Sequence, residues 1–312
     1  MQEILEVIFN INTFSAAIRI SVPLVFAAIG GVFSERAGII NLGLEGMLLT
    51  GAFAGVLGSY LTSNPYIGIL FAIMAGAFIG FIFALFTIKF EANHVVAGVG
   101  LNILMLGITT WLMQILWGSR GTSVNVTGLG EITIPILSSI PILGKLFGSH
   151  NILVYVMFII VIFSWIILFK TPFGLRLRVV GENQEAADTL GIKLRKIQYT
   201  SLIFSGVLCG LGGAYLSLGQ LNWFSMNMSA GRGYMALAAN IFGGWNPLGA
   251  FGASYLFAYT DALQMRMQAL NLNVPNEIIQ MIPYILTILV LAGAMIRSRP
   301  PAGLGKHYKT NR

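Results

Sequence analysis

Apolar runs of about 20 residues recur along the whole chain, at roughly 13–33, 39–60, 66–88, 95–117, 151–170, 199–219, 234–245, 249–268 and 278–296. A hydrocarbon core about 30 Å thick is crossed by about 20 residues of helix at 1.5 Å per residue, so runs of this length in series describe a chain that passes repeatedly through a bilayer. The runs are unbroken rather than alternating, which argues against barrel strands, and lipid leaves backbone groups no partner outside their own helix. Of the 312 residues 56% are hydrophobic and only 9% charged, and the 37 Gly suit close helix contact in lipid. The expected fold is all-α: one polytopic transmembrane bundle, residues 1–312, of about eight to ten spans. The 234–245 run is too short for a full span and is expected as a half-helix unless it is extended at either end.

Charge sets the direction. Six of the 18 Lys and Arg (Lys170, Arg176, Arg178, Lys193, Arg195, Lys196) lie in 170–198, and five more (Arg297, Arg299, Lys306, Lys309, Arg312) lie in 297–312, so both segments are placed in the cytoplasm. Counting back puts 118–150 outside, 89–94 inside, 61–65 outside, 34–38 inside and the N-terminus outside, with Arg120 and Lys145 as exceptions to the charge rule. The net charge of +7 belongs to these loops, and no basic soluble domain exists to bind nucleic acid. The start, MQEILEVIFNINTF, is acidic, and no cleavable signal is expected.

Little in the chain suggests bond-making chemistry. The histidines at 94, 150 and 307 are not spaced as metal ligands, and the single Cys209 excludes a disulfide within the chain. No G-x-x-x-x-G-K-[ST] phosphate loop is present, the nearest Gly-Lys being Gly305-Lys306 without a following hydroxyl. The chain is therefore expected to be no enzyme, with no metal and no cofactor of its own.

Within 170–198, Asn183 is positioned to cap a short helix over Gln184–Leu190 that Gly191 stops. Its Glu185-Ala186-Ala187…Gly191 spacing offers small residues for close approach and a carboxylate to a partner groove. The plain alternative is a cytoplasmic loop that only obeys the positive-inside rule. Laying the chain on itself at an offset near 185 sets Glu45-Gly46-Met47 against Arg232-Gly233-Tyr234 and Asn64-Pro65 near Asn246-Pro247, in opposite orientations. That is the inverted-repeat arrangement of many transporters, with chance matching of apolar helices as its alternative. Charged groups inside spans cost about 3 kcal/mol each, which singles out Glu45, Asp261 and Arg266. Glu45 is expected to find a structural partner, Arg19 or Arg232 among them, and Asp261 an interhelical hydrogen bond rather than Arg266, five residues on.

The E-A-A…G core resembles the coupling helix of permease subunits of bacterial ATP-binding-cassette importers. The likeness extends over nearly the whole chain: Phe33-Ser-Glu-Arg-Ala-Gly-Ile-Ile-Asn-Leu-Gly-Leu-Glu-Gly-Met47, Asn93-His94-Val95-Val96 with Asn102, Gly181-Glu182-Asn183, Gly231-Arg232-Gly233-Tyr234, Gly243-Gly244-Trp245-Asn246-Pro247 and Arg299-Pro300-Pro301-Ala302-Gly303-Leu304-Gly305 resemble the subgroup that handles branched-chain amino acids, simple sugars and nucleosides, the nucleoside permeases most of all. His94 departs from that pattern, where an acidic residue is more usual, and the Ile and Leu-Pro that extend the coupling motif are absent. The resemblance implies a permease moving a nucleoside across the cell membrane of a bacterium. It also implies a separate cytoplasmic ATPase that binds ATP, a second permease subunit in a heterodimer, and an extracellular substrate-binding lipoprotein. Coupling to the ATPase would rest on Asn183, Glu185, Ala186, Ala187 and Gly191. The neutral groups of a nucleoside suit Asn41, Asn102, Asn240, Tyr259 and Gln264, with Glu45 and Asp261 also candidates on the path and Trp111 or Trp245 a stacking face. Each of these is also an ordinary interhelical tie. A sugar or branched-chain amino acid permease, an ion-coupled carrier and a structural membrane protein are the other readings.

Overall fold

The computed structural model describes residues 10–133, 144, 146–269, 281, 285 and 299–306. Helix α1 (Ile11–Arg36) begins behind Asn10, whose side chain accepts from the Asn12 amide, and ends where Gly38 turns the chain at φ +89°. α2 (Leu44–Thr62) starts later than the apolar run suggests, because 37–43 is not helical. There Asn41 accepts from the Gly43 amide at 3.1 Å and donates to Ser205 Oγ at 3.0 Å. α3 (Pro65–Ala84) has Asn64 as its cap and Pro65 in its first turn, and it runs on through a π turn, Leu85–Lys89. α4 (His94–Trp117) is capped by Asn93, which accepts from the amides of Val95 and Val96, and it stops at Gly118, φ +66°.

Outside the core, β1 (Glu131–Thr133) pairs antiparallel with β2 (Ser149–Asn151), Ile132 facing His150. Then come α5 (Ile152–Lys170), α6 (Pro172–Glu182), α7 (Gln184–Thr189), and α8 (Leu194–Ala214), which continues as a π turn, Tyr215–Leu221. α9 (Arg232–Phe242) and α10 (Pro247–Ala269) complete the described helices. Among the described residues six helices are long and apolar enough to cross a bilayer: α1, α2, α3 and α8 with their π turns, α4 and α5. α9, at 11 residues, rises about 16 Å, half a bilayer, as its short run suggested. α10 has the length of a span but is more polar, and it packs along α1. The run at 278–296 lies outside the described residues.

One end of the bundle brings together Arg36–Gly38, Gly181 and Gly303–Gly305, all from segments expected in the cytoplasm, with Trp245 beside them. At the other, Ser59 donates to Thr127 O, and 121–129 lies along 218–226 through amide bonds such as Leu129 N to Leu218 O and Val126 N to Asn222 O. α1 and α8 therefore run in opposite directions between these two ends. α1 packs chiefly on α10, and α8 on α3.

Glycine sets how close these helices come. A Cβ on Gly206 would lie 2.1 Å from Gly76 O, one on Gly80 2.5 Å from Leu202 O, and one on Gly210 2.3 Å from Ala72 O. Gly76-x-x-x-Gly80 thus meets Gly206-x-x-x-Gly210 backbone to backbone. In lipid such contact replaces the hydrophobic drive that holds soluble helices together.

Candidate functional site

Two buried carboxylates organise the polar interior. Glu45 sits in the first turn of α2, 7% exposed. Its Oε1 accepts from Ser229 Oγ at 2.6 Å and the Gly231 amide at 2.8 Å, and its Oε2 accepts from the Gly233 amide at 2.6 Å. These amides are the free donors at the start of α9, where the helix dipole is positive, so the carboxylate closes the N-terminus of a half-helix. A Cβ on Gly233 would stand 2.4 Å from the Glu45 amide nitrogen, so only glycine admits this approach. α2 is treated in kind: Asn102 Oδ1 accepts from the Gly46 amide at 2.8 Å, while its Nδ2 donates to Leu42 O at 2.8 Å and Tyr234 Oη at 2.9 Å. Two helix N-termini thus face each other inside the membrane, each filled by a side chain of this chain.

The segment leading to α9 is irregular at the same depth. Residues 222–231 lead from the π turn to α9 with Asn222, Asn227, Ala230 and Gly231 at positive φ, and Ala230 is exposed. Non-helical backbone at membrane depth must be covered by protein or face water. Beside it, an open groove on the outer half of α4 is lined by Gly107, Thr110, Trp111, Gln114, Arg120 and Met226.

The second carboxylate is Glu35, 2% exposed on the last turn of α1. Its Oε2 accepts from Asn240 Nδ2 at 2.7 Å and from the Trp245 indole N–H. The next residue, Arg36, donates from Nε to Trp245 O at 2.8 Å and from Nη2 to Gly244 O at 3.3 Å. Gly244 and Trp245, at φ +63° and +54°, form the turn that ends α9, so consecutive residues of α1 grip it from two sides. Arg36 also lies 4.0 Å from Glu182 at the end of α6, an ion pair open to solvent and worth little by itself.

α7 forms as its sequence predicts. Asn183 is extended, its Oδ1 accepting from the Ala186 amide at 3.0 Å, and Gly191 turns away at φ +74° with open space around it. Glu185 is exposed and Ala186 half-buried. Ala187, however, is fully buried in the chain's own core, which corrects the expectation that both alanines face a partner: its small size lets α7 lie on its own bundle. The outward apolar residue is Leu190, 72% exposed. α6 was not expected, although Thr171-Pro172, a cap followed by a first-turn proline, signals it: Thr171 Oγ1 accepts from the Gly174 amide.

The intramembrane candidates do not converge on one pocket. Asn41, Asn102 and Asn240 are buried in the ties described above, as is Glu45. The hydrogen bonds of Glu45 go to the start of α9 rather than to the guanidinium of Arg19 or Arg232. Arg232 Nη1 instead donates to Met228 O at 3.1 Å and Ser229 O at 3.3 Å, and its charge acts on Glu45 and Asp261 through space. Tyr259, Asp261 and Gln264 are half-buried along α10; the Tyr259 ring lies 5.2 Å from that of Phe14, and Asp261 feels the charge of Arg232. Arg266 donates to Thr13 Oγ1 at 3.0 Å and so belongs to α1, not to Asp261. Trp111 lines the outer groove; Trp245 is a buried clamp. Sequence reasoning overlooked Glu35, Arg36, Ser229 and Tyr234, the first two because they were read as loop residues.

Three relatives and one family profile bear on this arrangement. The profile described as branched-chain amino acid transport system, permease component, matches residues 13–291. The guanosine ABC transporter permease protein NupQ of Bacillus subtilis is 41% identical over 303 residues, covering 94% of this chain and 95% of its own. The nucleoside ABC transporter permease protein NupC of Lactococcus lactis is 39% identical, covering 92% and 93%. A second guanosine ABC transporter permease protein of Bacillus subtilis, NupP, is 27% identical, covering 90% and 81%.

Proposed function

We infer, from the premise that this chain belongs to the family of branched-chain amino acid transport system permease components, that it is the membrane subunit of an ATP-driven importer carrying a nucleoside inward. The names of NupQ and NupC support that substrate class. The observation that carries it is the pair of opposed helix N-termini sealed by Glu45 and Asn102. Open half-helix N-termini in transporters hold carboxylates. With both of these ends filled from within, neither is open to the carboxylate of an amino acid, and a neutral solute bound by stacking and neutral hydrogen bonds fits better. The passage would follow the outer groove beside Trp111 and the irregular 222–231 backbone, with the exposed face of α4 covered by a second permease subunit. Similarity to both NupQ and NupP of one organism supports such a pair.

ATP hydrolysis belongs to a separate cytoplasmic ATPase, and delivery from outside to a substrate-binding lipoprotein; this chain carries out neither and holds no cofactor. α7 is the coupling helix: Asn183 and Gly191 shape it, Glu185 and Ala186 meet the ATPase with Leu190, and Ala187 anchors it from within. Its motion reaches the membrane through Glu182, Arg36 and Trp245, which link it to α1 and to the end of half-helix α9. The test is uptake of labelled guanosine into vesicles containing the assembled importer, with and without ATP, and with excess ribose or leucine as competitor. ATP-dependent uptake resistant to both competitors is expected. Uptake driven by an ion gradient without ATP would replace this reading by a secondary carrier, and competition by ribose or leucine would reassign the substrate.

A further inference from the structure

We propose that residues 301–306 form a strap that fastens the α6–α7 unit to the cytoplasmic end of α1, so that a displacement of α7 moves α1 and α9 with it; the role in transport rests on the permease reading above. The strap crosses both elements. Gly303 N donates to Gly181 O at 2.8 Å, in the last turn of α6, and Gly305 N donates to Gly38 O at 2.9 Å, in the turn after α1. Two side chains of the α6–α7 unit reach back: Glu182 Oε2 accepts from the Ala302 amide at 3.1 Å, and Gln184 Nε2 donates to Lys306 O at 3.3 Å.

The three layers are stacked at backbone distance. A Cβ on Gly181 would fall 2.1 Å from Arg36 O, and one on Gly303 2.8 Å from Gly181 O. Arg36 on one side and Gly303 on the other therefore hold Gly181 with no intervening side chain to yield. Pro301 and Gly303 are buried, with Ala302 between them exposed. A tail that merely trails into solvent would have no need of a buried glycine, nor of four hydrogen bonds to two separate elements. Residues 302 and 303 also border, with Glu182, Asn183 and Glu185, an open groove at the start of α7. Force applied to α7 thus acts on a body that already includes the tail.

These are positioning residues, and Gly303→Val tests them. Its φ is not in the left-handed region, so the substitution acts only by driving the strap off Gly181. Hydrogen exchange of the detergent-solubilised full chain provides a readout independent of substrate. Amides in 181–190 are expected to exchange at least tenfold faster in the variant, while 200–214 in α8 is unchanged. In the assembled importer, guanosine moved per ATP hydrolysed is expected to fall at least fivefold, with the ATPase still bound and the KM for guanosine unchanged. Glu182→Ala, at an exposed position, should show the same pattern more weakly, and it decides the matter if Gly303→Val does not assemble. Unchanged exchange at 181–190 or an unchanged transport ratio in the assembled variant, or loss of the ATPase from the Glu182→Ala complex, would each overturn the strap. Wild-type uptake without ATP would instead sink the permease reading, leaving the exchange result to judge the strap by itself.

Discussion

Replacing Glu45 with alanine should loosen the whole inner junction. The carboxylate accepts three hydrogen bonds, from Ser229, Gly231 and Gly233, and it is 7% exposed, so water cannot readily take its place. A hydrogen bond to a charged group contributes about 1.5–3 kcal/mol, and a stranded buried donor costs about 1–3 kcal/mol. Loss of the negative charge from a helix N-terminus adds about 0.3–1 kcal/mol. Allowing for relaxation of a serine hydroxyl that can rotate, Glu45→Ala is expected to cost roughly 3–6 kcal/mol, while Glu45→Gln, which keeps one acceptor but sets an NH2 against an amide, should cost about half as much. At about 2–4 °C per kcal/mol for large chains, the alanine variant should lose on the order of 10 °C in apparent Tm. The assay is the fraction remaining monodisperse on gel filtration after heating detergent-solubilised protein, scanned at one rate for both variants because unfolding of membrane proteins is irreversible. A fall of less than about 2 °C for Glu45→Ala, against that scale, would refute the carboxylate as the cap of α9.

Two glycine substitutions should separate the fold from the assembly. Gly206→Leu forces its Cβ into Gly76 O, 2.1 Å away, and should destabilise the single chain by about 3 kcal/mol or more, read by the same heating assay. Gly107→Leu meets nothing within 4 Å in this chain, so it should leave chain stability alone yet break co-purification with the second permease subunit if that subunit covers α4. Trp245→Phe keeps an aromatic ring but removes the indole donor to Glu35; a hydrogen bond of about 0.5–1.5 kcal/mol is lost, and guanosine uptake should fall several-fold with membrane insertion intact. Glu185→Ala with Leu190→Asp should release the ATPase in pull-down without changing the heat stability of the chain, since both side chains are exposed. Ala187→Trp, by contrast, should damage the chain itself, because Ala187 is fully buried.

Elements defined by short-range rules were legible from the residues alone. Apolar length over 65–89, 94–117 and 152–170 specifies spans, because a bilayer admits one backbone solution per run, and Asn93, Asn64 and Asn183 cap their helices through amides two or three residues away. The packing of α1 on α10 and of α8 on α3, by contrast, joins helices far apart in sequence and was not legible in the residues.

What the intramembrane polar residues do was decided by tertiary structure. Asn41, Glu45, Asn102 and Asn240 were candidates for a path because a polar group in lipid is costly, but cost alone does not say whether a ligand or a helix end repays it. Their partners lie far off in sequence: Ser205 for Asn41, Gly231 and Gly233 for Glu45, Gly46 and Tyr234 for Asn102, Glu35 for Asn240. A one-dimensional pattern identifies which groups need a partner. Only the folded chain, in which the N-termini of α2 and α9 meet and residues 301–306 return across Gly181, determines which partner each one has.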